Sequence, residues 1–151
     1  MRQQSLLPQT FPSTDKEWYF AFSKSLEDVP WYFKLATWRA PEGLRHVYAF
    51  SQTGQFVLFV EPSLTKVELV VKYPNDGSDY LCGDSLAREL VSHGHTVVKH
   101  KYQPNIRGKK SLFNFLPTCV SVVKVATGYS SLAVTPVQLL GCLLNNGAKL
   151  M

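Results

Sequence analysis

One stretch limits the fold more than any other. The runs Arg45-His46-Val-Tyr-Ala-Phe50 and Phe56-Val-Leu-Phe-Val-Glu61-Pro62 flank Ser51-Gln-Thr53-Gly54-Gln55. Both are rich in β-branched and aromatic residues, and the glycine between them supplies the positive φ of a tight turn, so the pair reads as an antiparallel β-hairpin. With Thr53 and Gly54 as the turn, counting back along both strands sets His46 directly opposite Glu61. Opposed residues share a face with Cβ atoms about 5 Å apart, within reach of an imidazole–carboxylate bond. A slip of one residue would send the two to opposite faces, so the pairing is a specific expectation. Pro62 ends the strand and restricts the backbone beside the carboxylate.

A second stretch, Phe115-Leu-Pro-Thr-Cys119-Val-Ser-Val-Val-Lys-Val-Ala-Thr127-Gly128, puts a thiol where a helix begins. Pro117 suits the turn before a helix, Thr118 can cap it, and Gly128 can close it in a left-handed conformation. Unpaired N–H groups and the positive end of the helix dipole lower a thiol's pKa and can hold an oxyanion. Free cysteine is usually a buried small hydrophobe. A helix-start cysteine together with a strand-start histidine and an opposed acid, however, supplies the parts of a thiol hydrolase. The imidazole would deprotonate the thiol, and the acid would fix the imidazole's tautomer.

The rest of the chain reads in order as follows. Residues 1–14 form an extended polar arm, and residues 15–151 a single domain, the count that 151 residues with 45% hydrophobic and 18% charged side chains supports. Glu17 to Phe22 and Trp31 to Trp38 are dense in aromatics and read first as core. Ala40 to Gly43 is a turn, Thr65 to Tyr73 a third strand, and Ser85 to Ser92 a helix capped by Asp84. His95 to Tyr102 is a further strand, and Val137 to Asn145 a last helix begun by Thr135-Pro136.

Three cysteines without regular spacing argue against a disulfide framework. Cys82 and Cys142 read as structural. His93, His95 and His100 lack cysteines at ligand spacing, so neither metal nor cofactor is expected. The net charge of +5 gathers around Lys99, Lys101, Arg107, Lys109 and Lys110. Such a run is usually a solvated loop, and nucleic acid is not the expected partner. No run suits a membrane span and no signal-peptide pattern opens the chain, so a cytoplasmic product is expected.

The order His46, Glu61, Cys119 resembles the circularly permuted branch of papain-like cysteine hydrolases, the NlpC/P60-related group. The run Leu116-Pro-Thr-Cys-Val-Ser-Val-Val-Lys124, with Leu132-Ala-Val-Thr-Pro-Val-Gln-Leu139, is similar to the C-terminal part of small proteins of tailed bacteriophages. The resemblance covers about Leu44 to Leu144. It implies an α+β fold with a cysteine-bearing helix packed against an antiparallel sheet. It also implies Cys119 as nucleophile, His46 as base and Glu61 as third polar group. Papain-like enzymes often carry a glutamine shortly before the cysteine. Here Asn114 is the nearest amide, which leaves it as the side-chain oxyanion candidate beside the Cys119 N–H.

Two readings follow. In the first the chain is a phage-encoded cysteine peptidase or amidase, cutting a peptide or amide through an acyl-thioester. In the second it is a non-catalytic structural or interaction protein of a virion that keeps the fold and docks on protein partners through its aromatic N-terminal region. Either would be made in the host cytoplasm.

Overall fold

The computed structural model describes residues 15–24, 39–63, 67–72, 82–103 and 118–151. The elements are strand β1 (Lys16–Ser23), a 3-10 turn (Glu42–Leu44), β2 (His46–Thr53), β3 (Phe56–Pro62) and β4 (Val67–Lys72). They continue with helix α1 (Gly83–Ser92), β5 (Thr96–Tyr102), α2 (Cys119–Thr127), α3 (Pro136–Asn145) and the short β6 (Lys149–Leu150). The fold is α+β. Six strands form one sheet in the order β4-β3-β2-β1-β5-β6, and every neighbouring pair is antiparallel.

The aromatic run Trp18 to Phe22 becomes the central strand, and its near-continuous apolar sequence follows from cover on both faces. Trp18, Phe20 and Phe22 point to one face, where Val47, Ala49, Val60 and Val98 meet Val120, Val123, Leu139 and Leu143 of α2 and α3. Tyr19 and Ala21 point to the other, where Tyr48, Phe50, Val57, Phe59 and Val97 meet Ala87 of α1. Each large apolar side chain buried in this way stabilises the fold by about 1.5–3 kcal/mol.

The β2–β3 hairpin forms, with its turn one residue later than the sequence reading placed it. Thr53 faces Phe56 and Gln52 faces Val57, so Gly54 and Gln55 are the turn residues. Gly54 carries φ 60° and among the described residues no non-glycine residue has a positive φ, which fits a turn whose first central residue is the glycine. Relative to the predicted register the strands are displaced by two residues.

The other elements hold with small shifts. Helix α1 starts at Gly83 with Cys82 as its N-cap residue, and Asp84 lies in the first turn instead of capping. The side chain of Gln52 takes over that role, its Oε1 accepting the Gly83 N–H at 2.9 Å. Helix α3 is opened by a reciprocal capping box between Thr135 and Gln138, with Pro136 in the first turn. After Gly147 (φ 87°) the chain returns to add β6 beside β5, pairing Leu150 with Val98, a strand absent from the sequence reading. The arm and the second aromatic run, Trp31 to Trp38, lie outside the described residues. Among the described residues no helix is long and apolar enough to cross a membrane.

Candidate functional site

Cys119 is the first residue of α2, as its sequence setting requires. Thr118 Oγ1 accepts the Ser121 N–H at 3.1 Å, Ser121 Oγ accepts the Thr118 N–H at 2.9 Å, and Gly128 closes the helix at φ 72°. The sulfur receives hydrogen bonds from the backbone N–H groups of Val47, Val120 and Cys119 itself. These favour a thiolate, but the helix is docked on the sheet, and burial outweighs them and pushes the thiol's pKa up. The expectation of a thiol ionised by its helix terminus is therefore corrected. The terminus is present, and the low-dielectric floor beneath it wins.

Neither His46 nor Glu61 is among the groups bonded to this sulfur. Along β2, Val47 and Ala49 face α2 and α3, whereas Tyr48 and Phe50 face α1. Alternation places His46 with the latter pair, and its ring lies 6.3 Å from that of Tyr48. The imidazole Nε2 makes no hydrogen bond to the thiol. His46 is 6% exposed, and its Nε2 finds no hydrogen-bond partner. Burial lowers its pKa to about 4, so the ring is neutral at physiological pH.

Glu61 is not opposite His46. One step beyond the Ala49–Val60 pair it lies beside Tyr48, whose hydroxyl is pushed up to about 12 by burial and, secondly, by the charge of Glu61. On its other side Glu61 faces Glu68 of β4. The two-residue displacement keeps His46 and Glu61 on one face but ends their direct opposition. The expected opposition of His46 and Glu61 is accordingly corrected.

The remaining histidines do not replace His46. His93 follows the last turn of α1, its Nδ1 2.8 Å from the Glu89 carbonyl, and His95 Nδ1 lies 3.2 Å from the Tyr48 hydroxyl on the α1 face. His100 shares the face of Cys119 but stacks 5.0 Å from Tyr102, whose hydroxyl donates to the carbonyl of Thr127. It therefore lies under the last residue of α2, and Cys119 is the first. All four histidines of the chain are described, and none is among the groups bonded to the thiol. Among the described residues no group of three His, Cys, Asp or Glu side chains could hold a metal ion.

The basic cluster divides. Lys99 is a residue of β5, not of a loop, and binds Asp84 at 2.9 Å and Glu17 at 3.1 Å. Lys101 is exposed on the same strand. Arg107, Lys109, Lys110 and the oxyanion candidate Asn114 lie outside the described residues.

Two features were missed from sequence. The first is a polar latch on the α1 face, where Tyr19 donates to Asp84 at 2.8 Å while Lys99 joins Asp84 to Glu17. Burial, and then the Asp84 bond, hold the Tyr19 hydroxyl well above its ordinary range. Lys99, followed by Tyr19, holds the Asp84 carboxyl down, and Asp84 in turn holds Lys99 up. Each group is fixed in its ordinary charge state at neutral pH, so the cluster fastens α1 and does not shuttle protons. Only the Tyr19–Lys99 pairing of β1 with β5 reveals it. The second is the edge position of β4, a strand the sequence reading placed over Thr65 to Tyr73; among the described residues it is an outer strand and exposes Val67, Leu69, Val70 and Val71. Its signal, the apolar centre of Val67-Glu-Leu-Val-Val-Lys72 between an acid and a base, was legible.

No protein-family model matches the chain, and searches of the curated proteins and of the solved structures find no match.

Proposed function

We propose that the chain is a non-catalytic protein-interaction module, serving as a structural part of a bacteriophage particle after synthesis in the host cytoplasm. The observation that carries this reading is the setting of Cys119. Burial pushes its thiol's pKa up, and no histidine is among the groups bonded to it. A thiol hydrolase needs a thiolate and a proton carrier within hydrogen-bond reach. The particle setting rests on the similarity of the run from Leu116 to Leu139 to small proteins of tailed phages. The exposed apolar edge β4 supports docking as the activity.

The test is the alkylation rate of Cys119 by iodoacetamide at neutral pH, followed on the Cys119 peptide by mass spectrometry. The expected rate is no faster than that of free cysteine, and Cys119→Ala assembles normally. Accelerated, stoichiometric labelling of Cys119 would overturn the reading.

The three N–H groups around the sulfur favour a second reading, a cysteine peptidase or amidase forming an acyl-thioester. It predicts amide hydrolysis that disappears in Cys119→Ala while the fold remains.

A further inference from the structure

We infer that Asn146–Gly147 is a site of spontaneous deamidation, at which water converts the asparagine to aspartate and isoaspartate when the last turn of α3 opens. The inference goes beyond the interaction-module reading and does not depend on it.

The sequence selects the position. Of Asn75, Asn105, Asn114, Asn145 and Asn146, only Asn146 precedes a glycine, whose backbone nitrogen no Cβ shields. Asn146 is the C-cap residue of α3, Gly147 takes φ 87°, and both are exposed. Among the described residues nothing lies within 4 Å of where a Cβ on Gly147 would stand, so water has access to the pair.

The chemistry needs water and no other reactant. The Gly147 nitrogen attacks Asn146 Cγ and closes a succinimide ring. The Cγ–Nδ2 bond breaks, and ammonia leaves with the proton that the Gly147 nitrogen gives up. Water then adds to one ring carbonyl. Cleavage between the Gly147 nitrogen and Cγ gives aspartate, whereas cleavage between that nitrogen and the main-chain carbonyl carbon of residue 146 gives isoaspartate. In the second product the backbone runs through the former side chain and gains a methylene.

The fold holds both reacting groups back. Nδ2, which must leave, donates to the Cys142 carbonyl at 2.7 Å and to the Tyr129 hydroxyl at 3.1 Å. The Gly147 N–H, which must be released to attack, donates to the Leu144 carbonyl at 3.1 Å. Cys142 and Leu144 belong to the end of α3, where a helix frays most easily. Tyr129 does not fray with them. It is 6% exposed in the core beneath α2 and α3, so its hydroxyl is the clamp that ties the amide to the body of the protein.

The added methylene has a structural consequence. The Ala148 N–H donates to the Leu143 carbonyl at 3.0 Å, and this closure sets where β6 begins. From there Lys149 falls opposite Lys99 and Leu150 opposite Val98. Isoaspartate at 146 shifts that spacing and releases β6 from β5. Aspartate leaves the backbone path unchanged and keeps β6 paired.

The test is incubation of the folded full chain at mildly alkaline pH, with mass spectrometry of the C-terminal peptide reading the conversion of amide to acid and separating isoaspartate from aspartate. Conversion is expected at Asn146 well ahead of Asn145, and it is expected to accelerate in Tyr129→Phe, which keeps the ring and deletes the hydroxyl. Hydrogen exchange on the same peptide should show lost protection of Lys149 and Leu150 in the isoaspartate fraction and retained protection in Asn146→Asp. Native Asn146 that converts no faster than Asn145 overturns the site. Tyr129→Phe that converts no faster than the wild type overturns the clamp, and equal protection in the isoaspartate and Asn146→Asp forms overturns the release of β6.

Discussion

The two faces of the sheet are held by different physics. The face under α2 and α3 is largely dry. Phe20, Phe22, Val47, Ala49 and Val98 are fully buried there against Val120, Val123, Leu139 and Leu143, and its polar bonds include the Thr118–Ser121 capping box at one end of α2 and the Tyr102–Thr127 bond at the other. The face under α1 is covered by one helix and threaded with polar groups: the Tyr19–Asp84–Lys99 latch, the Tyr48–His95 contact and the unpartnered His46. Burial raises the pKa of a cysteine on the first face and leaves a histidine on the second uncharged. The contrast teaches that burial sets the charge state of chemistry-bearing residues whichever way their face is held.

The largest effect expected on this contrast comes from the dry face. Phe20 is fully buried in the central strand, with its ring 5.9 Å from Tyr129 in an edge-on contact. Phe20→Ala removes that packing and leaves a void that neighbouring strands cannot close, so it should cost about 3–5 kcal/mol, read from denaturant midpoints at constant slope. A loss below about 2 kcal/mol would mean that this face is less tightly packed than the contacts indicate.

The second effect belongs to the α1 face and depends on pH. His46 binds its proton with a pKa near 4 in the folded chain and about 6.5 when unfolded. Between these values the unfolded state holds more protons. The stabilisation from an uncharged buried ring is therefore complete above pH 6.5 and is lost as pH falls towards 4. The full loss is about 3 kcal/mol, with His100, also lowered by burial, adding in the same direction. Urea titrations at pH 7, 5.5 and 4.5 should show this slope, and His46→Phe should flatten much of it. A slope unchanged by that substitution would place the acid sensitivity elsewhere.

Much of the fold was legible and most of the site was not, for separable reasons. The aromatic run Trp18 to Phe22 and the two β-rich runs flanking Gly54 carry local patterns, and they became the centre of the sheet. Thr118, Gly128 and Thr135-Pro136 marked helix ends because capping is local chemistry. The turn was misplaced by one residue because glycine suits either central position of a tight turn. Only the observed φ 60° at Gly54, with no positive φ at Gln55, distinguishes them. The opposition of His46 and Glu61 failed with it. The register of β2 against β3, set by where the turn closes, moved Glu61 from opposite His46 to beside Tyr48.

A third, smaller effect asks whether the α1 face is as fixed as its latch implies. Gly83 begins α1, where its φ is not positive, so alanine would ordinarily gain helix propensity. A Cβ there, however, would lie 2.7 Å from Tyr19 Cε2, and that ring is stacked 4.8 Å from Phe50 at 2°. Gly83→Ala should therefore destabilise by about 1–3 kcal/mol, reversing the sign that propensity alone gives. A stabilised variant would show that the Tyr19 ring is free to retreat.

The smallest effect tests the latch itself. Tyr19→Phe deletes the hydroxyl that donates to Asp84 at 2.8 Å and leaves the ring's packing in place. Asp84 keeps Lys99 and is 40% exposed, so water screens the loss and the expected cost is about 1 kcal/mol. Asp84→Ala removes both of its partners' contacts and costs somewhat more. The informative quantity is their coupling: in a double-mutant cycle the combined loss should fall short of the sum by about 0.5–1 kcal/mol, since both variants delete the same bond. Strict additivity would mean that solvent already satisfies the Tyr19 hydroxyl. The α1 face would then be held by the Lys99 ion pairs and apolar packing without help from that hydroxyl.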